Sequence, residues 1–427
     1  MQKFLFLLFC TVFSVFTLKS QIVRPSGAIK LSNDSRISIL TSSPSNDEIF
    51  TVFGHTAIRV LDRVSNIDIV FNYGVFDTKK PNFMSNFIMG KTDYELENCP
   101  TVIYLPNYEI RGSGVFEQVL NLNQAEKQKL LDTLFINNLP QNKEYRYNFF
   151  FDNCATRVVS IIESVIDIEY HEESSNQTFR ELVNHCMAPK PWMLYGCQLA
   201  LGTPVDRIAS FHEEMFLPSY LKAQFDKATI SDGRKLVVEG YIIVPEGKKS
   251  TKRDYFTPIV CSLILLILTI VLIAFEWKKR RFYHIFDFLL CLTAGLIGCV
   301  IFFLAFFSEH PGVYPNWLVI WLSPIHLIGA LLFRAKKTKI TRWNFLVSWT
   351  FPLFLFLGEI IPLRWYFLIN CVTILPMLLC WSFIPQDFHI ALLPFMLCLL
   401  LRSAHNLLNG GRAPGLNLRY NEQSCTT

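Results

Sequence analysis

Phe53-Gly54-His55-Thr56-Ala57-Ile58-Arg59-Val60 and, after a short polar gap, Ile67-Asp68-Ile69-Val70-Phe71-Asn72-Tyr73-Gly74 decide how this chain folds. Both segments alternate and are rich in β-branched residues, so each reads as a strand, and Asp62–Asn66 reads as the turn of a hairpin. In the first strand His55, Ala57 and Arg59 share one face, while Thr56, Ile58 and Val60 share the other. His55 follows a glycine at the strand's start. The antiparallel return brings the far end of the second strand, around Asn72 and Tyr73, back beside it.

A second segment bears on the same chemistry: Tyr145-Arg146-Tyr147-Asn148-Phe149-Phe150-Phe151-Asp152-Asn153-Cys154-Ala155-Thr156-Arg157. Beyond it Val158, Ile161, Ile162 and Ile166 recur at helical spacing. Asp152 or Asn153 suits the N-cap. Cys154 then falls in the first turn, where the helix dipole and free backbone N–H groups favour its thiolate. The same N–H groups suit an oxyanion hole. A cysteine at a helix start and a histidine on a strand form the pair that thiol nucleophiles need, with a third polar group fixing the imidazole. The plain alternative is that both residues only pack the core. Asp152, next but one to Cys154, opposes the thiolate unless it is engaged elsewhere.

Outward from these segments the chain divides by composition. Of 427 residues 51 % are hydrophobic, 14 % aromatic and 18 % charged, against about 25 % charged in a soluble domain. A disordered chain is excluded. The net charge of +5 comes from Lys and Arg that flank apolar runs, so no basic stripe for nucleic acid is present. This is the composition of a membrane protein.

Residues 1–21 carry Lys3, the apolar run Phe4–Leu18 and then Lys19-Ser20-Gln21, which reads as a secretory signal peptide, with an uncleaved anchor as the alternative. Residues 22–228 hold no spanning run and read as one exported domain. Residues 229–256, with a strand-like piece at Lys235–Val244 and the basic stretch Lys248–Arg253, read as a linker. Residues 257–405 read as a transmembrane domain and 406–427 as a polar tail. Thr257–Phe275, Phe288–Phe307, Pro315–Phe333 and Trp365–Gln386 have spanning length without charge, Trp343–Ile361 carries only Glu359, and Phe388–Leu401 is short. That makes five or six helices of about 20 residues each. The basic loops Lys278–Arg281 and Arg334–Arg342, against Ser308–Asn316 with no Lys or Arg, place the first two inside and the third outside. Lys248–Arg253 argues locally against this orientation. Six spans put Arg402–Thr427 outside, five leave it in the cytoplasm. Intramembrane Glu359 and His326 stand out as costly residues in lipid.

Six of the twelve cysteines sit in apolar spans, where they behave as small hydrophobes. In the exported part lie Cys99, Cys154, Cys186 and Cys197, with Cys425 near the tail. Cys186 and Cys197, ten residues between them, suit a disulfide in an exported compartment. A zinc site using His185, Cys186 and Cys197 lacks a fourth ligand at a recognised spacing. No metal and no cofactor is expected.

His on a strand, followed about a hundred residues later by an Asn-Cys helix start, resembles the permuted papain-like fold of the NlpC/P60 and lecithin:retinol acyltransferase group, an α+β fold. The closer resemblance is to the Lnb-type lipoprotein N-acyltransferases. It is carried by Phe53–Val60, Phe71–Phe76, Phe150–Arg157, Thr178–Leu182, Pro191-Trp192, Leu201-Gly202 with Asp206, and Phe216-Leu217-Pro218. The likeness covers most of residues 35–228, and the apolar carboxy-terminal half fits an all-α membrane bundle.

The resemblance implies Cys154 as nucleophile and His55 as base. In the acyltransferase relatives the third group is a second His on the return strand. Here no His lies between His55 and His171, so Asn72 is assigned the role, with Asp68 and Asp77 as fallbacks. Asn153, Tyr73 and Arg157 are assigned to the substrate, and His310 in the loop Ser308–Gly312 to guiding an acceptor amine, unless that loop is an ordinary polar connection. The implied reaction takes an acyl chain from a phospholipid through a Cys154 thioester to the α-amine of a diacylglyceryl-cysteine lipoprotein, on the outer face of the inner membrane. Two other readings stay open: a cysteine peptidase or amidase acting on cell-wall peptides, and a non-catalytic membrane scaffold.

Overall fold

The computed structural model describes residues 29–45, 49–171, 174–247, 254–335 and 363–408. The signal-peptide reading of 1–21, the basic stretch Lys248–Arg253, most of the loop Arg334–Arg342, the span Trp343–Ile361 with Glu359, and Cys425 lie outside the described residues. Two compact units result, one built from residues 1–81, 92–173 and 213–249, the other from 82–91, 174–212 and 250–427.

The first unit is built on an antiparallel sheet. Its strands are β1 (Arg36–Ser42), β2 (His55–Asp62), β3 (Ile67–Val75), β4 (Asp93–Pro100), β5 (Val115–Leu120) and β6 (Glu144–Arg146). The two-residue strands β7 (Ile168–Glu169) and β8 (Thr229–Ile230) pair apart from it, and β9 (Val237–Val244) closes the order β6-β4-β3-β2-β1-β5-β9. The expected hairpin is present, with Ile58 opposite Phe71 and Asp62 opposite Ile67. Asn66 adopts φ 51° in its turn, a conformation Asn tolerates better than most residues.

Alternation buries both faces of this sheet. Ile37, Ile39, Ile58, Val60, Ile69 and Phe71 pack against Leu130, Leu131 and Leu134 of the helix Gln124–Asn137 and against Val158, Val159 and Ile162 of the helix Cys154–Glu163. Leu40, Ala57, Val70, Val115 and Val244 form the opposite core with Tyr104. The strand-like piece in the stretch read as a linker therefore belongs to the sheet: β9 pairs antiparallel with β5 from Val115 to Leu120. Its outer residues are exposed, as suits an edge strand, and that made it look solvated in sequence.

The second unit is helical. Pro258–Lys279 and His284–Phe307 are long and apolar enough to cross a membrane, and Leu363–Leu379 and Leu392–Leu408 are shorter apolar helices. The expected span Pro315–Phe333 is divided into a 3-10 turn, Trp317–Ile320, and a helix, Ile325–Ala335. Pro324 stands at the break, where it has no N–H to donate and keeps its predecessor out of the helical region. The expected span Trp365–Gln386 instead runs Leu363–Leu379, with a 3-10 turn at Trp381–Phe383. The final run extends past its expected end at Leu401 to Leu408, because Arg402 is buried rather than solvated. His326 is buried too, bonding Tyr366 Oη at 2.9 Å and the Trp321 carbonyl at 2.6 Å.

The segments Phe179–Met187 and Pro191–Ala200 are helices of this second unit. Thr178 and Glu181 form a capping box at the first of them. Arg180 is its centre: the guanidinium holds Asp206 through Nε at 2.6 Å and through a second nitrogen at 3.0 Å, and donates to the carbonyls of Leu201 and Gly202. Cys186 and Cys197 are both free thiols here, one on each helix, so the expected disulfide is not formed.

Candidate active site

Two glycines set the backbone that carries the site. Gly54 has φ +77°, and a Cβ there would stand 2.5 Å from the Ser42 carbonyl oxygen. Only glycine lets the chain turn so closely before β2 begins at His55. Across the hairpin Gly74 has φ +88° at the point where the pairing of β3 with β4 shifts register between Tyr73 and Val75. Such a bulge turns the strand end, and a Cβ at Gly74 would lie 3.6 Å from Cys154 Cβ.

The helix Cys154–Glu163 is started by Asn153. Its Oδ1 accepts from the N–H groups of Ala155 at 2.8 Å and Thr156 at 3.0 Å, while Thr156 Oγ1 accepts from the Asn153 N–H at 2.7 Å. Its Nδ2 donates to the carbonyls of Phe149 and Phe216, both at 2.8 Å. The preceding loop is held by Asn148, whose Oδ1 accepts from Phe150 and Phe151 N–H. Phe149, Phe150 and Phe216 pack edge to face or tilted around it. We expect Asn153→Ala to lower stability by about 2 kcal/mol, since it removes a cap and leaves two carbonyls without their donor. A lower melting temperature of the detergent-solubilised chain, at unchanged membrane insertion, would check it.

Cys154 opens that helix and is buried. Its sulfur shares a hydrogen bond with the His55 side chain, and the nearby backbone N–H groups of Thr56 and Ala155 favour its thiolate. Asn72 Oδ1 lies 2.5 Å from His55 Nε2, which leaves Nδ1 as the ring nitrogen for the thiol. Burial alone would raise the Cys154 pKa; the imidazolium of His55 and the two N–H groups outweigh it, and the thiol is held below its ordinary value. Burial alone would lower the pKa of His55; the thiolate and the Asn72 carbonyl reverse that, and the ring is held above its ordinary value. Each partner thus favours the charged form of the other. The Cys154 N–H is in the first turn, where no intrahelical acceptor exists, and it bonds to no described residue.

Asp152 forms an ion pair with Arg157 on both guanidinium nitrogens, Arg157 NH2 to Oδ2 at 2.6 Å. The carboxylate is therefore engaged away from the sulfur, by a salt bridge rather than by the cap. The Arg157 guanidinium also lies 4.1 Å from the centre of the Tyr145 ring.

The hairpin and the helix start bring together Cys154, His55 and Asn72. Asp68 is elsewhere on β3, held by Arg59 at 2.8 Å on both oxygens and by Thr101 Oγ1 at 2.5 Å. Asp77 borders the cleft beside His55, with its Oδ1 accepting the Lys79 N–H at 2.9 Å. The three residues assigned to the substrate are all engaged within the protein. Asn153 has all its side-chain hydrogen bonds inside the protein, Tyr73 is buried in the core against Tyr145, and Arg157 is committed to Asp152. They position the nucleophile's helix and wall. His310 lies in the second unit, where its ring meets that of Phe87 edge-on.

Sequence reasoning missed Tyr145, Tyr147 and the Tyr104–Tyr108 pair, whose hydroxyls are 2.8 Å apart. The negative charge of Cys154 is felt at all four hydroxyls, and burial pushes the Tyr108 pKa up to about 12. Only Tyr145 and Tyr147 stood near a motif.

An α+β unit with a Cys–His–Asn cluster, in a chain whose other unit has helices of membrane-crossing length, defines a membrane protein with a thiol site on its α+β unit. The family that combines these parts is Lnb. The Lnb N-terminal periplasmic domain matches residues 30–185 and the Lnb transmembrane domain matches residues 249–364 and 360–412. The chain belongs to that family and is a membrane protein with a periplasmic domain. No curated protein and no solved structure matches it.

Proposed function

We propose that the protein is a lipoprotein N-acyltransferase with Cys154 as nucleophile, His55 as base and Asn72 as the group that orients the imidazole. The observation that carries this reading is the hydrogen-bonded chain from Cys154 through His55 to Asn72 at the start of a capped helix. The order of parts, His-bearing hairpin before Cys-bearing helix, is that of a permuted papain-like domain. Around it we place a signal peptide at 1–21, an exported domain reaching about residue 228, and a multi-pass domain in the inner membrane.

In the first half-reaction the Cys154 thiolate attacks an ester carbonyl of a phospholipid, and the Cys154 N–H receives the developing oxyanion. The carbon–oxygen bond breaks as His55 gives its proton to the departing alkoxide, releasing a lysophospholipid and leaving a thioester. In the second, the α-amine of a diacylglyceryl-cysteine lipoprotein attacks the thioester. His55 takes the amine proton, the carbon–sulfur bond breaks, and the amide and the thiolate–imidazolium pair are formed. One thiol accepting from an ester and donating to an amine makes the course ping-pong. Exclusion of water protects the thioester, and His310 is available on the second unit to meet the acceptor.

The test is expression in a host whose lipoproteins lack the N-acyl group, with the lipopeptide read by tandem mass spectrometry. An added acyl chain on the amine is expected with the wild type and none with Cys154→Ala, while Asn72→Ala slows it by about tenfold or more. A hydroxylamine-labile acyl group should be found on Cys154 after rapid quench. Near-native activity of Asn72→Ala together with an inactive Asp77→Ala would sink the Asn72 assignment. A folded, inserted protein that adds no mass would favour muropeptides as substrates.

A further inference from the structure

The connection from β3 to β4 carries a seven-residue helix, Phe83–Met89, which belongs to the second unit. At about 100° per residue, Phe83, Met84, Phe87 and Ile88 fall on one side of it, with Ser85 and Asn86 on the other. The helix bears no charge and none of its residues is buried. Met84 is 52 % exposed, and Phe87 and Ile88 are each 48 % exposed. Contiguous apolar surface of this kind marks an interaction site.

Where the helix is fastened tells what covers that stripe. The Met89 carbonyl accepts the Glu309 N–H at 2.8 Å, and Lys91 pairs with Glu309 at 3.1 Å. A Cβ on Gly90 would stand 2.5 Å from the His310 nitrogen, so the two backbones touch there. Glu309 is two residues past the end of His284–Phe307, one of the two helices long and apolar enough to cross a membrane. The 24 residues of that helix extend about 36 Å at ~1.5 Å each, against a hydrocarbon core of ~30 Å. Its end therefore lies among the lipid headgroups. Exposed Tyr314, whose ring is 5.5 Å from that of Phe306, and exposed Trp317 follow in the same connection, and such residues are enriched at the membrane–water interface. Phe83–Met89 also falls within the match to the Lnb periplasmic domain, so this is the periplasmic side.

We infer that the helix Phe83–Met89 lies in the plane of the periplasmic membrane interface, with Met84, Phe87 and Ile88 set among the phospholipids and Ser85 and Asn86 turned toward water. The partner is the lipid surface, rather than a second copy or another protein, because the helix is held at the depth where a spanning helix leaves the bilayer. Having no charge, it meets lipid through buried apolar area and not through attraction to anionic headgroups. Seven residues are too few to hold a membrane by themselves; the bonds to Glu309 and His310 keep them there. A segment that reads in sequence as wholly exported thus rests on lipid, whatever chemistry Cys154 performs.

Photo-cross-linking of the full chain tests this. Benzoylphenylalanine replaces Met84, Phe87, Ile88 or Asn86, one at a time, and the protein is reconstituted in nanodiscs of phosphatidylethanolamine and phosphatidylglycerol. After irradiation and digestion, the peptide that contains residues 83–89 should carry the mass of a phospholipid when the probe is at Met84, Phe87 or Ile88. With the probe at Asn86 the yield should be several-fold lower. In a chain that also carries Phe87→Glu and Ile88→Glu, the yield at Met84 should fall several-fold as the helix lifts from lipid. Equal yields at Asn86 and at the apolar positions would overturn the inference. So would adducts to a second copy or another protein in place of lipid, or no adduct at all from an inserted chain. The probed positions are exposed, so the single variants should keep the wild-type thermal midpoint. Should the doubly charged chain fail to insert, the comparison of Asn86 with the three apolar positions decides alone.

Discussion

His55→Ala should return Cys154 to a neutral, buried thiol and lower acyl transfer by at least about a hundredfold, the scale of losing a general base. The sign follows from the opposing influences on the sulfur. Burial pushes the thiol pKa up, and the His55 charge with the Thr56 and Ala155 N–H groups brings it down. Removing the ring leaves burial opposed by the two N–H groups alone, so the pKa rises. The Cys154 pKa is lowered and that of His55 raised, so each shift favours the charged form of its group. Alkylation of the Cys154-containing peptide by iodoacetamide should accordingly persist, in the wild type, well below the midpoint of about 8.5 of an ordinary thiol. In the variant the profile should move to higher pH. Coincident profiles would show that His55 does not activate the sulfur.

Arg402→Ala should unfold the membrane unit, with a loss of about 3–5 kcal/mol. Arg402 is buried with Glu276 and Asp287, which come from the helices Pro258–Lys279 and His284–Phe307. Its guanidinium reaches Asp287 at 2.6 and 2.7 Å and Glu276 at 2.7 and 3.2 Å, and His405 Nε2 lies 2.9 Å from Glu276. Glu276 Oε1 also accepts the Tyr283 N–H at 2.7 Å. Without the arginine two carboxylates lose their counter-charge in a buried place, whereas three neutral residues of similar shape would not. Arg402→Met combined with Glu276→Gln and Asp287→Asn should therefore recover much of the loss. The check is the midpoint of thermal or detergent-induced unfolding of the purified chain; a wild-type midpoint for Arg402→Ala would show that the cluster carries no stability.

Arg402 also shows where sequence reading stops. An arginine after an apolar run reads as the end of a span, because a lone charge in lipid is costly. The carboxylates that neutralise it lie more than a hundred residues earlier, and nothing local announces them. The same distance hid Arg111 and Tyr108, which reach the cleft beside His55 only because the sheet returns there. By contrast, the hairpin was legible through alternation on Thr56–Val60 and Ile67–Phe71, and the helix start through Asn153 and the spacing of Val158, Ile161 and Ile162. These signals lie within a few residues of one another. Asn72 was legible as a neighbour of His55 because antiparallel pairing fixes which residues meet. The internal partners of Asn153 and Arg157 were hidden for the complementary reason. A polar residue beside a nucleophile looks available for substrate until its partners are known, and here Phe149, Phe216 and Asp152 take up its hydrogen bonds.

The sulfur is tuned by His55, Thr56, Asn72, Asn153 and Ala155, all from one hairpin and one helix start. Lys79, Tyr108 and Arg111, which also border the cleft, come from other connections of the sheet. The groups that tune the sulfur and those that border the cleft are thus written in separate stretches of the gene. Mutation of the second set can therefore reshape the cleft while the first keeps the surroundings of the sulfur unchanged, so the two can vary independently.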